Sequence, residues 1–483
     1  MGMASQHEHI VIFPFMAQGH TLPLLDLSKA FSGRGVQVTI ITTPANAPSL
    51  QSYIAKQPLI SLKEIPFPYV PSLPKGCENT AHLPSMELYI PFLFATKQLQ
   101  LPFHKFLQDM SDSGSLPLCV ISDFFLGWTL ETCRSFGIPR LVFHGMGVLS
   151  MAICKTVWTH APHLKASSET EPLHLPGLNL PFTLTTRDLP ESIRTPNHDY
   201  LFSRFVSEVG QADIESWGVI VNSFFELEQR HVSSFESFYI NGAKAWCLGP
   251  LLLYNETNNV KRSLDRFSAA TAACTEWLTE KAMPSSVVYV SFGTQADVSD
   301  AQLNEIAFGL EMSGYSLRKL FFSYSFLWVA RSTTWLPPDG IEERVKNRGL
   351  IVRDWVDQRR ILGHRSIGGF LSHCGWNSVL ESLSVGVPIL AWPMMAEQSL
   401  NAMLVVEAFN AGVRLPLESH IVGRKATCQG VRELTGGSKS SHVKERAQAL
   451  GRAAVRAVQR GGTSYQTTTE LLDKLRASRN HWA

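Results

Sequence analysis

Residues 367 to 392 carry the pattern that most restricts the fold. Ile367 to Ser372 is a short apolar run ending in a glycine-containing turn, and Val379 to Ser384 has helical character. Gly386-Val387-Pro388 stops that helix before the apolar Ile389-Leu390-Ala391-Trp392. Strand, turn, helix, turn, strand is the repeating unit of a parallel α/β sheet. The same alternation predicts strands at 9–14, 37–42, 118–122, 140–143 and 218–221. It resumes at 287–290, 326–329, 349–352, 367–371 and 388–391. A chain of 483 residues exceeds one ordinary core, so two domains are expected. The polar stretch Tyr254-Asn255-Glu256-Thr257-Asn258-Asn259 marks the linker. The expected division is 1–250, a linker at 251–275, 276–460, and a helical tail at 461–483.

A polar cluster surrounds the 367–392 unit and suggests what it binds. It runs from Trp355-Val356-Asp357-Gln358 through His373-Cys374-Gly375-Trp376-Asn377-Ser378 and Glu381 to Glu397-Gln398. Open α/β sheets bind ligands beyond the carboxyl ends of their strands. A helix opening at Gly375-Trp376-Asn377-Ser378 offers free backbone N–H groups and a positive dipole end, which suits a phosphate. His373 could donate to the same anion. Glu381 lies four residues past Asn377, on the same helix face, where a carboxylate can accept from two vicinal ribose hydroxyls. Trp355 offers a flat face for a base, and such stacking contributes roughly 1–3 kcal/mol. Glu397 and Gln398 could take a sugar's hydroxyls. Singly, each has a plainer role as a core, capping or surface residue. Together and in this order they favour a nucleotide-sugar site.

These residues resemble the sugar-donor box of plant secondary-product UDP-glycosyltransferases, in glycosyltransferase family 1. That box spans 44 positions, as does Trp355 to Gln398. The resemblance implies that Trp355 stacks on uracil, that Gln358 and Glu381 hold the ribose, and that Val356 and Gly375 belong to the UDP-sugar site. It implies that His373, Asn377 and Ser378 contact the diphosphate, and that Trp376, Glu397 and Gln398 face the sugar. A final Gln is the type usually associated with glucose donors. Thr294 sits where the family often has a phosphate-contacting Ser. The family usually has Pro where this chain has Asp357, and its loss should loosen the loop slightly. His9 to His20, Thr42 to Asn46, Val219 to Phe224, Leu248-Gly249-Pro250 and Ser286 to Thr294 resemble further family markers. The implied fold is GT-B, two Rossmann-like domains whose parallel sheets face one another across a cleft, with the last helix returning to the first domain.

Glycosyl transfer to a hydroxyl needs a base for the acceptor proton. His20 follows a strand and a Gly19 turn, from which its ring can project. An imidazole titrating near its ordinary value of about 6.5 is available neutral at pH 7. Asp123 ends another apolar strand, Leu118 to Ser122, where it could hold one ring nitrogen protonated. The resemblance implies a His20–Asp123 dyad and inverting displacement of UDP. It also implies an acceptor pocket near Phe15, Gly19, the 83–95 segment, Phe124 to Trp128 and residues 185–205. Aromatic and aliphatic content there suggests a flavonoid, other phenolic or terpenoid acceptor. No two Asp residues are separated by a single residue, so no Asp-x-Asp metal site is available and no metal or other cofactor is expected.

Composition narrows the remaining choices. A net charge of +2 without a dense basic block gives no electrostatic reason for a nucleic-acid or membrane partner, and a monomer is expected. The polar N-terminus lacks a signal-peptide core, no apolar run reaches the roughly 18 residues of a membrane span, and the eight cysteines are dispersed. A cytoplasmic enzyme is expected. Gly145-Met146-Gly147 imitates a dinucleotide loop but lacks its third Gly. No Gly-x-Ser-x-Gly elbow supports hydrolysis. One departure stands out: eleven residues separate Ser313-Gly314 from Phe326, where the family has about two. The excess reads as an insertion at 317–325, bracketed by a repeated Tyr-Ser, which would form an apolar bulge prone to aggregation. If it disables catalysis, the chain would instead be a non-catalytic UDP-sugar or small-molecule binder.

Overall fold

Short Val- and Ile-rich runs flanked by helices satisfy their backbone groups by pairing side by side, and burial on both faces makes that pairing parallel. The computed structural model describes residues 8–195, 201–258, 268–281, 283–293, 298–314, 324–332, 334–416 and 421–482. The first sheet comprises β1 His9–Phe13, β2 Gln37–Thr42, β3 Ile60–Glu64, β4 Cys119–Asp123, β5 Arg140–His144, β6 Gly218–Val221 and β7 Lys244–Cys247, in the order β3-β2-β1-β4-β5-β6-β7. The second comprises β8 Val287–Ser291, β9 Ser325–Val329, β10 Gly349–Val352, β11 Ile367–Ser372, β12 Ile389–Ala391 and β13 Gly412–Arg414, in the order β10-β9-β8-β11-β12-β13. Every pairing in both sheets is parallel. Strand order therefore reverses between β1 and β4, and again between β8 and β11.

Three strands escaped the sequence reading: β3, β7 and β13. All three lie at sheet edges. Edge strands have less apolar surface to hide, and here they carry exposed or half-buried residues such as Lys63, Glu64 and Lys244. The central β1, β4, β5 and β8 are buried almost throughout. Each sheet has apolar clusters on its two faces: Ile10, Ile12, Leu24 and Phe31 on one side of the first, Val11, Phe13, Phe92 and Phe103 on the other.

The chain forms two compact units. The first comprises Met1–Thr159, Thr195–Asn258 and Arg456–Ala483, the second His160–Arg194 and Asn259–Val455. Helix Thr463–Trp482 seats Leu471, Leu472 and Leu475 in the first unit's core, and its Ser464 hydroxyl donates to the Gly249 carbonyl. Helix Ala269–Thr279 contributes Cys274 and Leu278 to the second. Among the described residues, no helix is long and apolar enough to cross a membrane.

Most of the 317–325 segment lies outside the described residues, but its last residue does not behave as an insertion. Ser325 opens β9 and donates its N–H to the Ser286 carbonyl at 2.9 Å, while the Tyr324 hydroxyl donates to the Thr435 carbonyl. Because Tyr-Ser is repeated, removing 315–323 or 317–325 yields the same polypeptide. The excess is therefore better assigned to 315–323. A chain lacking these nine residues keeps the Tyr-Ser that enters β9, and its melting temperature should equal or exceed that of the full chain. Reduced aggregation in light scattering is the accompanying expectation.

Four elements of the first unit meet in a buried charge network. Asp213, from helix Leu201–Ile214, accepts from His144 at the end of β5 (2.9 Å), from the Tyr239 hydroxyl (2.8 Å) and from Lys155. Burial alone would raise the Asp213 carboxyl, but the His144 ring and the Lys155 ammonium outweigh it and hold it well below the usual carboxylate range. Asp213→Asn should destabilise the unit by about 3–5 kcal/mol, because Lys155 is left buried beside a neutral group. The melting temperature at pH 7 should fall by roughly 10 °C. A depressed pKa contributes stability that is fully present above about pH 4 and fades below it. Calorimetry against pH should therefore show the wild-type advantage shrinking in acid.

Candidate functional site

In the first unit the site gathers at the reversal between β1 and β4. His20 lies in the first turn of helix Gln18–Ser32, not on a glycine turn after the strand as the sequence suggested. Gly19 is in the same turn, exposed. Asp123 is the last residue of β4 and is wholly buried, while 28% of the His20 side chain is exposed. Their Nδ1···Oδ2 distance is 2.8 Å, and the other carboxylate oxygen accepts the Phe125 N–H at 3.0 Å. With Nδ1–H donating to Asp123, the ring's basic lone pair resides on Nε2.

Arg140, fully buried at the start of β5, braces this strand end from behind. Its Nε donates to Ser122 Oγ at 2.8 Å and its Nη2 to the Asp123 carbonyl at 3.3 Å. Burial lowers the pKa of its guanidinium, and the nearby Asp213 and Asp123 oppose that.

Aromatic rings surround His20. Phe15 is 5.3 Å from its ring centroid and Phe125 is 5.4 Å away. Phe92 and Phe67 extend the cluster beyond Phe15, and Phe205 beyond Phe125. Phe124 turns instead onto His144 at 5.0 Å. Trp128 packs on Phe13 and Phe103 in the core, away from the dyad. The short turn Phe124–Leu126 decides which of two adjacent phenylalanines meets His20, and no spacing in the sequence signals it.

In the second unit the corresponding place lies between β8 and β11. Trp355 is 47% exposed, and its carbonyl accepts from the Ser268 hydroxyl at 3.1 Å. Val356 is buried in the apolar cluster that includes Cys274 and Ile361. Asp357 does not loosen the loop. It caps helix Gln358–Leu362 by accepting the Arg360 N–H at 3.2 Å, while its own N–H donates to Thr271 Oγ1. Such a cap contributes about 1 kcal/mol, which offsets the missing proline. Gln358 Nε2 donates to Ser378 Oγ at 2.9 Å and to Glu381 Oε2 at 2.8 Å. Arg359 Nε donates to the other Glu381 oxygen at 3.0 Å.

Glu381, Asn377 and Ser378 all stand on helix Trp376–Ser384, which opens at Gly375. Asn377 is half-buried, whereas Trp376 is only 2% exposed and is part of the core side of that helix. His373 lies between two glycines: a Cβ on Gly293 would come within 2.9 Å of its Nε2, and one on Gly375 within 2.6 Å. Its Nδ1 is buried without a hydrogen-bond partner, an arrangement that is costly unless a ligand supplies one. The backbone between is held in the left-handed region at Cys374 (φ 64°), whose carbonyl accepts from Asn401. Gln398 Oε1 accepts the N–H groups of Met394 and Met395, both at 3.0 Å, so its amino group is the donor it can offer. Glu397 precedes it at the start of helix Gln398–Met403 and accepts from Asn401 at 3.1 Å. Thr294 lies outside the described residues. No cluster of three potential metal ligands occurs among the described residues.

A family model for UDP-glucoronosyl and UDP-glucosyl transferase matches residues 272–422. The chain is 36% identical to scopoletin glucosyltransferase of Nicotiana tabacum, over 97% of this chain and 98% of that protein. It belongs to the UDP-glycosyltransferase family.

Two solved structures extend the likeness to the whole fold. Glycyrrhiza uralensis UGT73P12, complexed with glycyrrhetinic acid 3-O-monoglucuronide, superposes with a TM-score of 0.85 at 29% identity, covering 98% of this chain and 97% of that one. Phytolacca americana UGT2, complexed with UDP-2fluoro-glucose and pterostilbene, gives 0.78 at 27%, covering 97% and 100%. The fold of this UDP-glycosyltransferase is GT-B, with two Rossmann-like parallel-sheet units. Burial pulls the His373 imidazole down to about 4. The ring should therefore stay neutral throughout pH 5–8 and gain its proton only near pH 4. Nitrogen-15 NMR of labelled histidine, with His373→Gln to assign the resonance, should show this.

Proposed function

We propose that this UDP-glycosyltransferase moves glucose from UDP-glucose to a hydroxyl of a small hydrophobic plant metabolite, such as a flavonoid, another phenolic or a terpenoid. The observation that carries this reading is the 2.8 Å His20–Asp123 pair set among aromatic rings. Such a pair can act as a general base, and a wall of aromatic rings suits a flat apolar acceptor. The names of similar proteins agree in kind: scopoletin for one, UDP-2fluoro-glucose with pterostilbene for another.

In the proposed reaction the acceptor hydroxyl gives its proton to His20 Nε2 as its oxygen bonds to the anomeric carbon. The bond from that carbon to the β-phosphate oxygen breaks, with inversion, and UDP leaves. Asp123 stabilises the imidazolium that forms. On the donor side, Trp355 stacks on uracil, and Gln358 and Glu381 take the ribose. The backbone N–H groups opening helix Trp376–Ser384 and the side chains of Asn377 and Ser378 meet the diphosphate, with Thr294 as a further contact. A neutral His373 adds a hydrogen bond rather than a charge, so the leaving group's negative charge falls mainly on the helix end. Glu397 and the Gln398 amino group address the sugar. Trp376 supports that helix from within. We further propose a cytoplasmic monomer that needs neither a metal nor any other cofactor.

The test is UDP release from UDP-glucose with a panel of phenolic and terpenoid acceptors, with and without EDTA. Release should depend on acceptor, persist in EDTA, and fall by about 10²–10⁴ in His20→Ala while UDP binding is retained. Binding of UDP with no release under any acceptor would instead mark a non-catalytic binding protein.

A further inference from the structure

The Glu381 carboxylate is nearly buried, with 10% of its side chain exposed, and two consecutive residues hold it. Gln358 Nε2 reaches one oxygen at 2.8 Å and Arg359 Nε reaches the other at 3.0 Å. Both donors rise from the first turn of helix Gln358–Leu362, whose start is fixed by the Asp357 cap. Gln358 is itself pinned by Ser378, one helical turn before Glu381.

A carboxylate tethered through one oxygen still turns about its terminal torsion, which is broad and shallow. A second donor on the other oxygen fixes the plane. Each oxygen has two lone-pair directions, and each receives one of these side chains. One acceptor direction per oxygen is left, which matches two hydroxyls on adjacent carbons. Arg359 is 24% exposed, lies within the binding segment and is ion-paired with this carboxylate. A guanidinium is better suited than an ammonium to hold a carboxylate in one plane, because its donors form a rigid fork.

We propose that Arg359 is a positioning residue for the donor ribose: with Gln358 it locks the Glu381 carboxylate in the plane that accepts the two vicinal hydroxyls. This rests on the ribose-binding role proposed for Glu381. Arg359 acts through Glu381 and touches no reacting atom, so it governs donor affinity rather than the chemical step.

The experiment compares calorimetric binding of UDP and of 2′,3′-dideoxy-UDP, which lacks both ribose hydroxyls, to the full chain and its variants. Arg359→Ala should weaken UDP by about tenfold, as expected for one lost charge-assisted hydrogen bond. It should leave the dideoxy ligand unchanged and keep kcat at saturating UDP-glucose within about twofold of wild type. Arg359→Lys should recover part of the loss. Arg359→Gln, close to Arg in length, guards against a folding defect and should resemble Arg359→Ala. In a Glu381→Ala background, Arg359→Ala should cost nothing further. Equal weakening of both ligands, or no weakening of UDP, overturns the proposal while leaving the ribose site standing. Wild-type UDP affinity in Glu381→Ala alone overturns the ribose role of Glu381 and this inference with it.

Discussion

A parallel strand delivers its chain to the same edge of the sheet as its neighbours, and where the order reverses the following segments diverge. Both units depend on that constraint. At the β1–β4 reversal, helix Gln18–Ser32 and the turn after Asp123 set a partly exposed imidazole against a buried carboxylate. At the β8–β11 reversal, Gly293 and Gly375 leave room for the His373 ring, and neither position admits a Cβ without displacing it. Side-chain chemistry elsewhere serves these two openings. Arg140 braces the end of β4, and Asp357 starts the short helix that holds Glu381.

Charge is managed in three different ways within the same architecture. Asp123 has its ring partner, Asp213 has a closed network of His144, Lys155 and Tyr239, and Glu381 has an amide and a guanidinium. The second is sealed in the core and fastens helices to β5. The first and third each keep an outlet, through a partly exposed His20 and through the outer lone pairs of Glu381. A buried charge with all its partners inside is structure, whereas one with a partner at the surface is poised for a ligand.

Legibility in the sequence followed the same division. The interior strands were plain because burial on both faces demands unbroken apolar runs, while β3, β7 and β13 were not, since an edge asks less of its residues. The donor segment could be read because its residues are contiguous, so that helix and turn periods alone bring Asn377, Ser378 and Glu381 together. Phe125 rather than Phe124 beside His20, Trp128 in the core, and Trp376 turned inward were not legible, because each depends on how one turn rotates against its neighbours.

The sequence by itself determined the two parallel α/β units, through the period of its apolar runs, and the family and candidate chemistry, through the resemblance of Trp355 to Gln398 to the sugar-donor box. Tertiary structure decided which groups meet across long separations, Arg140 with the end of β4 and Arg359 with Glu381, and it set the His20–Asp123 pair that the resemblance implied at 2.8 Å. It also decided that Asp357 strengthens a loop that its missing proline seemed to weaken. Local pattern fixes what a residue can offer, but a hydrogen bond between distant segments exists only once packing has chosen their rotation and register.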